Sequence, residues 1–564
     1  MLDRRVFVGS VAGFGAASLA GLLAGCDDRR AAQSSAERAH SSKWVSCRIP
    51  EPASIDPLYA SCAADLEICS LLFDPLTRIN VETGAVEPLA CTSFSLADDA
   101  RSITFRLPQG AVFHNGDPVD AASFKRAWER IAARHVMSAL QDDDDPRQAG
   151  GTYIYESPFA SLLKDIEGYD ESRSSDVGGM AGIRCLDDST LEIRFSRPCA
   201  NFAAIASHPV LGPVPAYDDG AQSVMMAAPV GNGPFACQTE WNPDDGKKPR
   251  HIELTAHKNY SAAPIQIEGA TLVVQGDTHA AYKSFQTGDV DVCDVPVEQY
   301  REAEKAYGLS EESHAVLAGR RLARAAAPGL VYLEYVSGAK PFTEHDARRA
   351  VSLAIDRETL CEKQLRSSYE QATAPKAWPT AELTVWEACV FDPELAAELL
   401  EKEYPADKDG ARDCSVTLLH RAGGVLGRIA STIAEDLKAV GVQVKIVAAE
   451  ADEFDERLAD DDVSLVLRNW EPAIPDAASA TLEFARAGVV HLSGDAQELV
   501  DEIRAERDEA KRSSKVSAFW DLLGRDLPIA PVVRPLWCKV VSDRVAGERF
   551  DIAGRPRLEA LQLV

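Results

Sequence analysis

The chain has 564 residues, of which 46% are hydrophobic and 26% charged, an ordinary globular composition. That excludes a disordered chain, a collagen and a many-span membrane protein. With 59 Lys and Arg against 88 Asp and Glu, the net charge of −29 repels phosphate backbones and anionic headgroups, so neither nucleic acid nor a membrane bound through a basic patch is an expected partner.

The first element in chain order is an export segment. Arg4 and Arg5 precede an uncharged run from Val6 to Gly25 that ends in Leu23, Ala24, Gly25 and Cys26. A charged start, an apolar middle and a small-residue exit read as a signal peptide over residues 1–25. The exit resembles a bacterial lipoprotein lipobox, and Arg4-Arg5 with Phe7 resembles a twin-arginine signal. The resemblance implies that Cys26 carries the lipid and holds the chain to the outer face of the cell membrane. Residues 26–43 lack periodicity and are an expected flexible tether. Using Cys26 for lipid leaves an even number of the 13 cysteines. In an exported chain that suggests disulfides, Cys62 with Cys69 being near enough in sequence to pair; buried free thiols are the alternative.

Strands are expected at 102–107 and 191–195, where apolar and polar residues alternate. The polar stretches 142–145 and 172–179 read as surface loops. The uncharged stretch 198–217 contains Pro209, Pro213 and Pro215 and is not a spanning helix. Gly231-Asn232-Gly233 suggests a tight turn with positive φ. Thr343 is a plausible N-cap for a helix burying Ala347, Ala350, Val351, Ala354 and Ile355. A strand at 415–419 is followed by a helix with Ile429, Ile433, Leu437 and Val440 on one face. Gly441 ends that helix, and Val442, Val444 and Ile446 alternate after it. Strand, helix, strand in this order predicts a parallel α/β unit.

A further strand at 463–467 runs into Arg468, Asn469 and Trp470. Ligands of α/β lobes gather at the carboxyl ends of strands, so Arg468, Trp470, Glu471 and Asp476 are candidate ligand-binding residues. No nucleophile elbow, zinc-protease motif, P-loop or dinucleotide fingerprint occurs. The expectation is therefore a binding protein rather than an enzyme, with no cofactor and no metal.

Several motifs then stand in a recognisable order. They are Ile55-Asp56-Pro57, Leu72-Phe73-Asp74-Pro75-Leu76-Thr77, Phe113-His114-Asn115-Gly116, Gly231-Asn232-Gly233-Pro234-Phe235, Gly288-Asp289-Val290-Asp291, Ala354-Ile355-Asp356-Arg357 and Leu527-Pro528-Ile529-Ala530-Pro531. Together they resemble the oligopeptide/dipeptide class of extracytoplasmic solute-binding proteins of ABC importers, over nearly the whole chain after Trp44. The resemblance implies an α/β fold: a two-lobed, type II periplasmic-binding-protein clamshell with an extra subdomain inserted in the N-terminal half. The expected first lobe comprises 44–85, 183–270 and 527–564; the insertion is 86–182 and the second lobe 271–526. Leu527-Pro528 is similar to the family's return into the first lobe.

The same resemblance implies a monomer that captures a peptide or peptide-like solute between its lobes and docks on ABC permease subunits. It also makes Asn232 a candidate ligand-binding residue. Another small solute (a metal chelate, a sugar or an amino-acid derivative) and a non-transport receptor or chaperone are the alternatives. The segment from Trp470 to Asp476 is similar to the family's W-x-x-D-Y-x-D/E-P stretch. Where peptide-binding members place an aspartate for the peptide's amino terminus, this chain has Ala473.

Overall fold

A computed structural model describes residues 43–564 apart from 139–151, 175–178, 217–227, 242–249, 261, 263, 318, 337, 376–383, 411 and 489–491. The signal peptide, Cys26, the tether up to residue 42 and the aspartates at 142–145 lie outside the described residues. Among the described residues, no helix is long and apolar enough to cross a membrane.

One 12-stranded sheet runs through the molecule. Its first half is centred on Trp44–Ile49, buried along its whole length and parallel to Gly269–Val274. Val45, Cys47 and Ile49 alternate with Ser46 and Arg48, yet both sets are buried, because the second face is covered as well and Arg48 is paired with Asp294 at 2.6 Å. Its second half contains the predicted parallel unit: Ser415–Arg421, helix Leu426–Ala439 and Gln443–Ala449. Ile429, Ile433 and Leu437 bury one helix face, and Gly441 follows at φ 86°. Gln443–Ala449 is the sheet's last strand, so Ile446 stays 38% exposed instead of facing a core.

The halves meet on one long strand, Ile529–Val541. Its beginning pairs with Leu330–Tyr335 of the second lobe, and its end pairs with Leu322–Ala326 and Val292–Asp294 of the first. The chain therefore crosses between lobes at 327–329 and near Pro535. These crossings touch: the Ala327 N–H donates to the Pro535 carbonyl at 2.8 Å. Pro328 and Pro535 have no N–H to give, and the register shifts between Val331 and Tyr332, so the ladder is weakest there.

Strand pairing moves the expected boundaries. Residues 271–326 were assigned to the second lobe, but Gly269–Val274, Val292–Asp294 and Leu322–Ala326 all pair in the first half of the sheet. The return at Leu527-Pro528 was expected to enter the first lobe. Instead residues 529–533 still pair with the second lobe's Leu330–Tyr335, and the crossing comes later. The insertion was expected to end at 182. Its own four-stranded sheet joins Ser93–Leu96 and Ser102–Arg106 to Thr190–Arg194 and Ile183–Asp187, so a boundary at 182 would cut it.

Three smaller expectations also change. The helix after Thr343 is His345–Ala354 with Glu344 at its N-cap, and it buries Ala347, Ala350, Val351 and Ala354 as predicted. Residues 169–174, partly expected as loop, form a short helix. The cysteines from Cys47 to Cys538 are all free thiols, most of them buried. Cys62 caps helix Ala63–Leu72 and Cys69 lies in its last turns, roughly 10 Å further along the axis, beyond disulfide reach.

Candidate ligand cleft

The segment after strand Val463–Trp470 leaves the second lobe and lies against the first. Ile474 is 2% exposed and packs within the first lobe's core cluster, with Ala473 against it. The segment is held from behind by Glu483, whose carboxylate accepts the Ala473 N–H at 2.9 Å and the Trp470 indole N–H. Helix contacts extend the junction: Asn201 Nδ2 donates to Ser479 Oγ at 2.9 Å, and Arg504 pairs with Asp165 at 3.0 Å.

A cavity of about 160 Å³ opens where this segment meets the first lobe. Ala473, Ile474 and Pro475 form one wall; Phe73, Asp74, Tyr260, Arg555 and Arg557 contribute to the other. Asp74 is 6% exposed, and burial pushes its carboxyl up to about 7. The Tyr260 hydroxyl bonds to it and draws it back, Glu559 raises it, and Arg557 and Arg78 lower it. Burial and then Asp74 push the Tyr260 hydroxyl far up, so Tyr260 remains a donor. Arg557 is engaged by Glu559 at 2.8 Å. Among the described residues Arg555 makes one long ion pair, to Asp551 at 3.6 Å, which leaves donors of its guanidinium for other partners.

Asp74 is presented by a rigid support. The Asp74 N–H donates to Asn232 Oδ1 at 2.9 Å, and Asn232 Nδ2 donates back to the Asp74 carbonyl at 3.2 Å. The flanking glycines do not have the positive φ expected from the sequence. They are required because the backbone at Leu72 passes so close: a Cβ on Gly231 would lie 1.8 Å from its carbonyl oxygen.

The sequence-derived candidates divide accordingly. Asn232 holds Asp74 and does not itself line the cavity. Glu471 is exposed and is not among the residues that line the cavity, and its carboxyl is raised by desolvation and drawn back by Arg555. Arg468 is ion-paired with Glu334 on the adjacent strand, and its guanidinium lies 5.7 Å from the Phe454 ring centroid. Asp476 caps helix Ala477–Arg486, accepting from the Ser479 N–H at 2.8 Å and its hydroxyl at 2.7 Å. Trp470 packs edge-on against Phe484 at 5.4 Å, in the second core and beside the crossing at 327–329. The strand end thus positions the cleft through Ala473, Ile474 and Pro475, while most of its charged groups serve the second lobe itself. Tyr260 and Arg555 carry no local signature. Asp74 stands in a motif that the sequence does display, but its role depends on partners far along the chain.

Comparison with known proteins matches residues 85–489 to the model of bacterial extracellular solute-binding proteins, family 5 (Middle). The chain belongs to this family. Membership makes it a solute-binding protein rather than an enzyme. It is 24% identical to the dipeptide-binding protein DppE of Bacillus subtilis, covering 86% of this chain and 84% of that one. It is 22% identical to the oligopeptide-binding protein AppA of the same organism, with 94% of each chain covered. Among solved structures it is similar to the unliganded open form of the periplasmic murein tripeptide binding protein MppA. The TM-score there is 0.73 at 19% identity, over 93% of this chain and 98% of that one. This family member has the expected two-lobed α/β fold of type II periplasmic binding proteins.

Proposed function

We propose that this chain is the capture component of an ABC importer, that it closes its lobes on a peptide or peptide-like solute, and that it is held outside the membrane by lipid on Cys26. The observation that carries the ligand class is the cleft: both charge signs, Asp74 and Arg555 among them, line one cavity together with apolar side chains. A peptide offers an ammonium, a carboxylate and apolar side chains to such a site. The relatives' printed names, dipeptide-, oligopeptide- and murein-tripeptide-binding, support the same class. The two adjacent crossings supply the place at which closure would bend the molecule. The permease partner rests on family membership, and the anchor on the lipobox ending in Cys26.

A thermal-shift screen of the mature protein against defined dipeptides and tripeptides, amino acids, sugars and metal chelates tests the ligand class. A peptide bound only by the folded form is expected to raise the melting temperature by about 2–5 °C. A rise with another class and none with peptides overturns the reading. Cys26→Ser is expected to release the protein from the cell surface, as read by fractionation.

A further inference from the structure

We infer that Asp74 is the receptor for the solute's ammonium group, on the first lobe. The inference rests on the cleft being the solute site, as proposed above. Asp74 is buried at the cavity wall, and its backbone is clamped at both the N–H and the carbonyl by Asn232. A carboxylate has capacity for about four hydrogen bonds. Tyr260 supplies a donor, and no cation lies within ion-pair distance of Asp74 among the described residues. The nearby guanidiniums are engaged elsewhere, Arg78 with Glu87 at 3.0 Å and Arg557 with Glu559 at 2.8 Å. A buried carboxylate so placed is unfavourable until a cation arrives. A primary ammonium brings the charge and three donors. The facing wall of Ala473, Ile474 and Pro475 has no side chain that could take this role.

Two consequences separate this arrangement from an anchor shared between lobes. The ammonium is held by the first lobe alone, so binding can precede closure. It also competes with a proton for Asp74, so affinity falls as the solution is acidified. The groups around Asp74 are Tyr260, Glu559, Arg557 and Arg78, with His208, Asp551 and Arg555 lining the same cavity. Burial holds the His208 imidazole down to about 3, so it does not titrate between pH 5.5 and 7.5.

The test incubates the mature protein with an equimolar mixture of unmodified tripeptides and, separately, with the same mixture after N-acetylation. Retained peptide is read by mass spectrometry. At pH 7.5 the free-amine mixture is expected to be retained at least about ten-fold better. Asp74→Asn, close in shape but uncharged, is expected to lose that preference. With the unaltered protein, lowering the pH to 5.5 is expected to cut retention about ten-fold, which serves if the variant folds poorly. Equal retention of both mixtures, or a preference that survives Asp74→Asn, overturns the inference and leaves the peptide reading intact. Retention unchanged at pH 5.5 also overturns it. No retention of either mixture overturns the peptide reading itself, and this inference with it.

Discussion

The two walls of the cleft are built on opposite plans. The first lobe's wall gathers Asp74, Tyr260 and Arg555 from segments far apart in the chain, and among the described residues Asp74 has no cation within ion-pair distance, while Arg555 has only the long pair to Asp551 at 3.6 Å. The second lobe's wall is the short run Ala473 to Pro475, and the polar residues around it are satisfied within the fold: Arg468 by Glu334, Asp476 by Ser479 and Glu483 by Ala473. On the function proposed above, charge recognition would reside in one lobe, whereas the other would supply shape and a closing surface. Residues that look functional by charge and position, such as Arg468 and Asp476, are engaged within the second lobe itself.

The largest expected effect breaks the first wall at its support. Gly231→Ala places a methyl 1.8 Å from the Leu72 carbonyl oxygen, and only a backbone shift can relieve that contact. A loss of about 3 kcal/mol or more in denaturant-unfolding stability is expected, together with lost solute binding, because Asn232 and Asp74 move with it. An unchanged unfolding midpoint would show that the close approach is not rigid.

Trp470→Ala addresses the second wall. It removes a half-buried indole from the packing against Phe484 and from its bond to Glu483, and about 2–3 kcal/mol of stability is expected to go. Solute affinity, measured by titration calorimetry, is expected to change much less. A large loss of affinity without a loss of stability would return Trp470 to the binding surface.

The smallest effect sharpens the contrast through pH. Asp74 titrates near 7 in the folded chain, above the ordinary carboxylate value it has when unfolded. The folded form therefore holds the extra proton between about pH 4 and 7, and the unliganded protein loses stability from this group as pH rises through that window. Asp74→Asn removes that loss. Its stability relative to the unaltered protein is expected to be near parity at pH 4 and to rise steadily as the pH is brought to 8. Parallel curves at all pH values would show that Asp74 is not perturbed by burial. A variant that is more stable and binds less is the usual signature of a residue kept for function.

By itself the sequence determined what repeats locally or stands in a motif. The spacing of Ile429, Ile433 and Leu437 before Gly441 specified a helix and its end, and the apolar runs on either side specified strands, because a buried face imposes its period on the chain. The collinear motifs identified the family and hence the two-lobed fold. The tertiary structure alone decided which charged side chains are spent and which are left over. Glu334 meets Arg468 across 134 positions, and Asn232 meets Asp74 across 158. It also showed that Gly231 answers to a passing backbone rather than to a turn, and that residues 271–326 belong with the first half of the sheet. Hydrogen bonds and ion pairs act over a few ångströms in space regardless of separation along the chain, so no local pattern announces them. The cleft of this protein is made almost entirely of such long-range encounters.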